Sequence, residues 1–395
     1  MRFYLQQGYG MMDLDLEYVQ KNPGTGVVLA PRSCSSREQL EAHAKKLRLL
    51  KSPVLFDPQF YNPRTERDNI INYPYWKDPT SFATKAFARD GAKELCKGVI
   101  DYQCETLDVE SIILPGRYTN TATEEWREMQ RIFADAASEL KTGRPVFSTL
   151  ALGPDVVGEP ELLDRVLNEA VLFPVDGIYI VLAPPKKAFL VTDDGWLYNA
   201  LDGLLSLASA GKTVIVGYAN QQSLIFAASG VTGLASGNFR NVRSFDVEMF
   251  DLKESKRRGR GIWYYDAQSL CEFKIPQLTL AYRRGLKDKF GPRCEYCEKL
   301  LSAANPGLVP WPEPQPFKHF LTHLRQQWLA FDGVSVSQRG RDVIDLLVKA
   351  DTHMQDLTDS GFVLGDRPFL DALVPSLSAV TAFIRDRAAD IKALG

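Results

Sequence analysis

Eight short apolar runs, spaced by stretches of helical periodicity, each stop at a polar residue, a Gly or a Pro. Residues 3–5 run into Gln6 and Gln7, 27–30 into Arg32, 54–56 into Asp57, and 112–114 into Pro115, Gly116 and Arg117. The second half repeats the plan: 146–147 precede Ser148, 178–182 precede Pro184, 214–216 precede Tyr218 and Asn220, and 234–235 precede Ser236, Gly237 and Asn238. Short β-branched runs that alternate with helical patterns read as βα units on a parallel sheet. Eight such units close an α/β (β/α)8 TIM barrel, whose working residues sit where the strands end. The points at which the runs stop are therefore also the first candidates for a site.

With 395 residues the chain exceeds one barrel, so a barrel over 1–265 and a C-terminal helical zinc-binding subdomain over 266–395 are expected. Ser35 and Glu38 have capping-box spacing ahead of a helix carrying Leu40, Ala44 and Leu47 on one face. Residues 61–77 form a long loop rich in Asn, Pro and aromatics directly after a strand end, where barrels build sites. Helices are expected over 80–104, 124–140, 161–170, 196–210 and 221–228.

A net charge of −2 excludes a uniformly basic nucleic-acid coat, so any such contact is a local patch. No apolar stretch approaches the roughly 20 residues of a membrane span. The N-terminus lacks the apolar core of a signal peptide, and six Cys without a disulfide framework suit a reducing compartment. A cytoplasmic location is expected.

Four constellations carry chemistry. Asp57, at a strand end with Gln59 and Tyr61 beside it, presents a carboxylate to the barrel mouth as base or nucleophile; its plain alternative is a turn-opening Asp-Pro. Cys294 and Cys297 form a C-x2-C knuckle, and His319 and His323 lie four apart on one helical face. Together they suit a structural Zn2+ cage, with Cys271 as a weaker extra ligand; the alternative is a reduced Cys pair packed under a helix, with the histidines on the surface. Lys256, Arg257, Arg258 and Arg260 make a basic cluster after the eighth run, for nucleic-acid phosphates or simply for solvent. Arg32, Arg117, Asn220, Ser236, Asn238 and Arg240 are strand-end groups that bind a ligand or form turns. No G-x-x-x-x-G-K-[ST] phosphate loop occurs and no His stands at a strand end, so proton transfer falls to carboxylates or Tyr.

Taken together these residues resemble the tRNA-guanine transglycosylase superfamily, including its DNA-modifying relatives. The resemblance spans most of the chain. It implies a (β/α)8 barrel, a C-terminal zinc subdomain and an early aspartate, here Asp57, as general acid/base. Cys294, Cys297 and His323 match the family's zinc spacing; the further family Cys, two residues before the first of this pair, is Pro292 here. The family's nucleophile, an aspartate at the end of the eighth strand, has no counterpart in residues 230–241, which leaves Ser236 or Asp246 as substitutes. Two readings follow: a transglycosylase-like enzyme acting on a nucleobase in tRNA or DNA, with Gln59 and Tyr61 at the base and Arg32 and Arg117 orienting it; or a non-catalytic nucleic-acid-binding or scaffold subunit of a multi-protein modification or defence system. A small-molecule barrel enzyme is a third. Partner proteins, or a homodimer through the helices after the zinc segment, complete the expectations.

Overall fold

The computed structural model describes residues 1–76, 90–140, 142–251 and 261–395. Eight strands form one parallel sheet: β1 (Arg2–Gln6), β2 (Gly26–Leu29), β3 (Val54–Phe56), β4 (Ile112–Ile113), β5 (Val146–Leu152), β6 (Gly177–Leu182), β7 (Thr213–Val216) and β8 (Gly233–Ser236). Their spatial order is β3-β2-β1-β8-β7-β6-β5-β4, and a two-residue strand at Tyr118–Thr119 also pairs with β5. β1 closes on β8 with Arg2 opposite Gly233 and Leu5 opposite Ser236. The two ends of the sheet, β3 and β4, meet where the Glu110 N–H donates to the Val54 carbonyl at 2.9 Å. The ring is thus a nearly closed barrel.

The runs end up there because parallel strands are covered on both faces and read as unbroken apolar stretches. All seven residues of β5 are buried, as are all four of β2. The interior is not wholly apolar. Tyr179 on β6 donates across the barrel to Gln6 Oε1 at 2.9 Å. Gly217 makes room for that ring, since a Cβ there would sit 2.3 Å from the Tyr179 hydroxyl.

The crossover helices are α1 (Met12–Lys21), α2 (Arg37–Leu49), α3 (Asp90–Asp101), α4 (Glu124–Leu140), α5 (Pro160–Ala170) and α6 (Asp194–Ser209). Three local expectations change. The cap of α2 is Ser36, which accepts from the Gln39 N–H at 3.2 Å, while Ser35 bonds the Gln39 side chain; the box is shifted by one residue. The helix expected over 80–104 is described as α3 followed by a π-helical turn at Tyr102–Leu107, and residues 80–89 lie outside the described residues. The segment after β7, Gln221–Ser229, is 3-10 rather than α-helical.

A hairpin of β9 (Trp263–Asp266) and β10 (Cys271–Lys274) leads into α7 (Ile275–Arg283), α8 (Gln315–Leu329), α9 (Val336–Asp359) and α10 (Leu370–Asp386). The boundary expected at 265 falls inside this hairpin. α8 packs on β1, where Trp328 Nε1–H donates to the Arg2 carbonyl at 2.9 Å and Arg325 to Thr25 Oγ1 at 2.9 Å. It therefore serves as the helix of the eighth unit, and the C-terminal region is docked on the barrel rather than strung beside it. No helix among the described residues is long and apolar enough to cross a membrane.

Candidate active site and metal centre

Asp57 follows the last residue of β3, its own N–H continuing the ladder to the Leu29 carbonyl at 2.9 Å. That register turns the carboxylate into the barrel at the C-terminal rim. Both oxygens are engaged: Oδ1 accepts from the Gln59 N–H at 2.9 Å, and Oδ2 from the hydroxyls of Tyr61 at 2.8 Å and Tyr218 at 3.4 Å. Gln59 ties three strand ends together. Its Oε1 accepts from the Arg32 N–H at 2.8 Å and its Nε2 donates to the Tyr218 hydroxyl at 2.9 Å. Gln59 and Tyr218 hold left-handed backbone, with φ of 53° and 54°. Such strain in non-glycine residues persists only where surrounding contacts over-determine it, and it clusters at functional positions.

Burial pushes the Asp57 carboxyl up to about 7, against the opposing pull of the Gln59 amide, the two tyrosine hydroxyls and the Arg32 charge. Burial, then the Asp57 charge, raises Tyr61, Tyr179 and Tyr218 well above the usual phenol range. They stay protonated and remain donors. A carboxyl that titrates near neutrality is suited to move a proton in either direction.

The mouth is capped by the segment after β8. Phe245 lies 4.9 Å from the Tyr61 ring and 5.2 Å from Tyr218, and Phe250 lies 5.1 Å from Tyr61. Arg32 stands over Phe250 at 5.6 Å, and Arg117 over Phe60 at 5.8 Å. Burial lowers Arg117 to about 10. Arg240, at the outer edge, stacks on Phe189 at 5.0 Å.

The other strand-end candidates do not converge on Asp57. Ser236 is fully buried and donates to the Ala219 carbonyl at 2.6 Å. Asp246 lies on the cap, accepting from the Glu248 N–H at 3.0 Å and pairing with Lys187 at 3.5 Å. Asn220 caps the Gln221–Ser229 turn and donates to the Phe189 carbonyl, while Asn238 fastens the first loop through the Tyr9 carbonyl. Lys256, Arg257, Arg258 and Arg260 lie outside the described residues. In the sequence Tyr218 reads only as a strand-end residue without a role, and nothing there points to Tyr179, Phe245 or Phe250. Tyr218 was detectable, because it directly follows the Gly that ends the β7 run; the two Phe carry no local signal.

On the C-terminal region, ligand atoms of Cys294, Cys297, His319 and His323 all lie within 4.8 Å of one another. The two sulfurs are 3.7 Å apart, and Cys294 Sγ is 3.3 Å from His319 Nδ1. A tetrahedral zinc with sulfurs at about 2.3 Å separates them by about 3.8 Å. His319 Nε2–H is held by the Tyr265 carbonyl at 2.7 Å, which turns Nδ1 toward the thiols, a usual second contact of a ligating imidazole. His323 Nε2 is buried with no hydrogen-bond partner. Burial lowers His319, keeping it neutral, and the bond from Cys297, then that from His319, pulls Cys294 toward the thiolate. These four residues form a Cys2His2 cluster suited to a structural metal such as zinc. Cys271 is not among them: its sulfur accepts from the Phe369 N–H at 3.1 Å.

The fold and site thus define a (β/α)8 barrel with a docked Cys2His2 subdomain. No protein-family model matches the chain, and no curated protein matches it. Among solved structures it is similar to the 3-dehydroquinate dehydratase from Aquifex aeolicus VF5, at 9% identity and a TM-score of 0.33, over 63% of this chain and 95% of that one. A likeness at that level says nothing about chemistry.

Proposed function

We propose that the protein is a transglycosylase-like barrel that takes a nucleobase of tRNA or DNA into its mouth, with Asp57 as the acid/base group. One observation carries the reading: a fully buried carboxyl at a strand end, raised to about 7 and surrounded by Gln59, Tyr61 and Tyr218. Gln59 supplies an amide for a base edge, and the Tyr61, Phe245 and Phe250 rings supply faces for stacking once the cap opens. In breaking a glycosidic bond, the electron pair leaves with the ring nitrogen, and Asp57 donates the proton that neutralises it. An incoming base returns that proton to Asp57 as it bonds to the sugar carbon. Arg32, Arg67 and Arg240, which line one cleft at the rim, suit phosphates.

A second reading has its own support. The hydroxyl of Ser236 and the carboxylate of Asp246 are both engaged away from Asp57, so neither of them stands beside it as a nucleophile. A barrel that holds a base or backbone without turning it over, as a subunit of a modification or defence system, fits that arrangement. Asp57→Asn separates the two. The enzyme reading expects loss of base release from tRNA or duplex DNA with binding retained; turnover at the parent rate in that variant rejects it.

A further inference from the structure

Outside the aromatic cap of Asp57 lies a cleft of ≈ 480 Å³ at the barrel rim, bordered by Arg32, Arg67, Lys187 and Arg240. Two acids, Asp246 and Glu248, also line it. Lys187 takes both, at 3.5 and 2.6 Å. None of the three arginines is ion-paired with a carboxylate among the described residues. Asp57 is close enough for its charge to be felt by Arg32, but not within ion-pair distance.

The arginines are also held rather than free. The Arg32 guanidinium lies 5.6 Å over the Phe250 ring and that of Arg240 5.0 Å over the Phe189 ring. The Nε atoms of Arg32 and Arg67 are buried without a hydrogen-bond partner. Two like charges close together, partly desolvated and lacking acceptors, are costly unless an anion joins them. Planar guanidinium forks match the oxygens of phosphate. Phe245 lines this cleft and also touches Tyr61, so an anion here stands one ring away from the Asp57 pocket.

We infer that the cleft is a phosphate site, in which Arg32, Arg67 and Arg240 hold a phosphate of the nucleotide whose base enters the barrel. The phosphate chemistry follows from the arginines; that the phosphate belongs to a nucleotide rests on the function proposed above. The test is calorimetric titration of the full chain with inorganic phosphate, guanosine monophosphate and guanosine, at constant ionic strength set by chloride. The monophosphate is expected to bind more tightly than either fragment. Arg67→Gln and Arg240→Gln should each weaken monophosphate and phosphate binding roughly tenfold or more, the worth of one charged hydrogen bond. Arg240 is exposed, so its replacement leaves the fold in place. Absence of binding by both phosphate and monophosphate, or affinities unchanged in both variants, overturns the site. Guanosine binding that neither variant alters, with no gain from the phosphate, overturns the site and leaves the nucleobase reading standing. Arginine-dependent phosphate binding with no preference for the nucleotide supports the anion site and overturns its assignment to a nucleotide.

Discussion

Replacing Asp57 by Asn should stabilise the protein at alkaline pH while removing its proposed acid/base group. The carboxyl moves from an ordinary 3.8 to about 7 on folding because burial outweighs its four favourable partners. A folded value above the unfolded one means that the neutral form is preferred in the native state. The stability it contributes is therefore complete below pH 3.8 and is lost as pH rises through 7. At about 1.36 kcal/mol per tenfold change, the loss is roughly 2 kcal/mol by pH 5 and roughly 4 kcal/mol by pH 8. Asn has the same shape, can accept from the Gln59 N–H, and carries no charge to desolvate. Its stability relative to the parent should therefore improve by about 2–3 kcal/mol between pH 5 and pH 8. Urea unfolding of both proteins at the two pH values measures this double difference, in which constant effects of the amide cancel. A change under about 0.5 kcal/mol, within the scatter of independent effects, would refute the idea that a desolvated charge sits at the rim.

Elemental analysis should find one zinc per chain, and Cys294→Ser should abolish it; chelation is expected to lower the melting temperature and added zinc to restore it, whereas an unchanged Tm would dissociate the cluster from metal. Glu272 accepts from Arg243 at 2.9 Å and from Arg367 at 2.8 Å, with the Arg243 guanidinium 3.4 Å over Phe320 of α8. Glu272→Ala strands a buried guanidinium between the barrel and its C-terminal region, so a loss of about 3–5 kcal/mol is expected in urea unfolding. A loss below about 1 kcal/mol would mean that the trio is solvated.

How much was legible follows from particular residues. β2 shows because a strand buried on both faces reads as an apolar run, whereas β5 shows only through Val146 and Phe147, since Ser148 and Thr149 are polar yet buried inside the same strand. Cys294 and Cys297 show through their two-residue gap, and His319 and His323 through their helical spacing. The shift of the α2 cap from Ser35 to Ser36 did not show, since both hydroxyls precede the same helix and the choice depends on which backbone turns inward. Nor did the fate of Asp246 show: a carboxylate near a strand end looks the same whether it faces the mouth or caps an outer turn.

By itself, then, the chain's pattern determined the eight parallel strands, the rim as the place where their polar successors gather, and the two ligand pairs Cys294/Cys297 and His319/His323, because period and spacing are local properties; the fold closed the pairs into one cluster and left Cys271 out. Tertiary structure alone decided that Asp57 meets Tyr218 across 161 positions and that Phe245 and Phe250 close over it. It also decided that Ser236 and Asp246 turn elsewhere, and that Arg32, Arg67 and Arg240 share one cleft. Those outcomes depend on how loops from different strand ends pack against one another, and contact between distant loops leaves no periodic trace in the sequence.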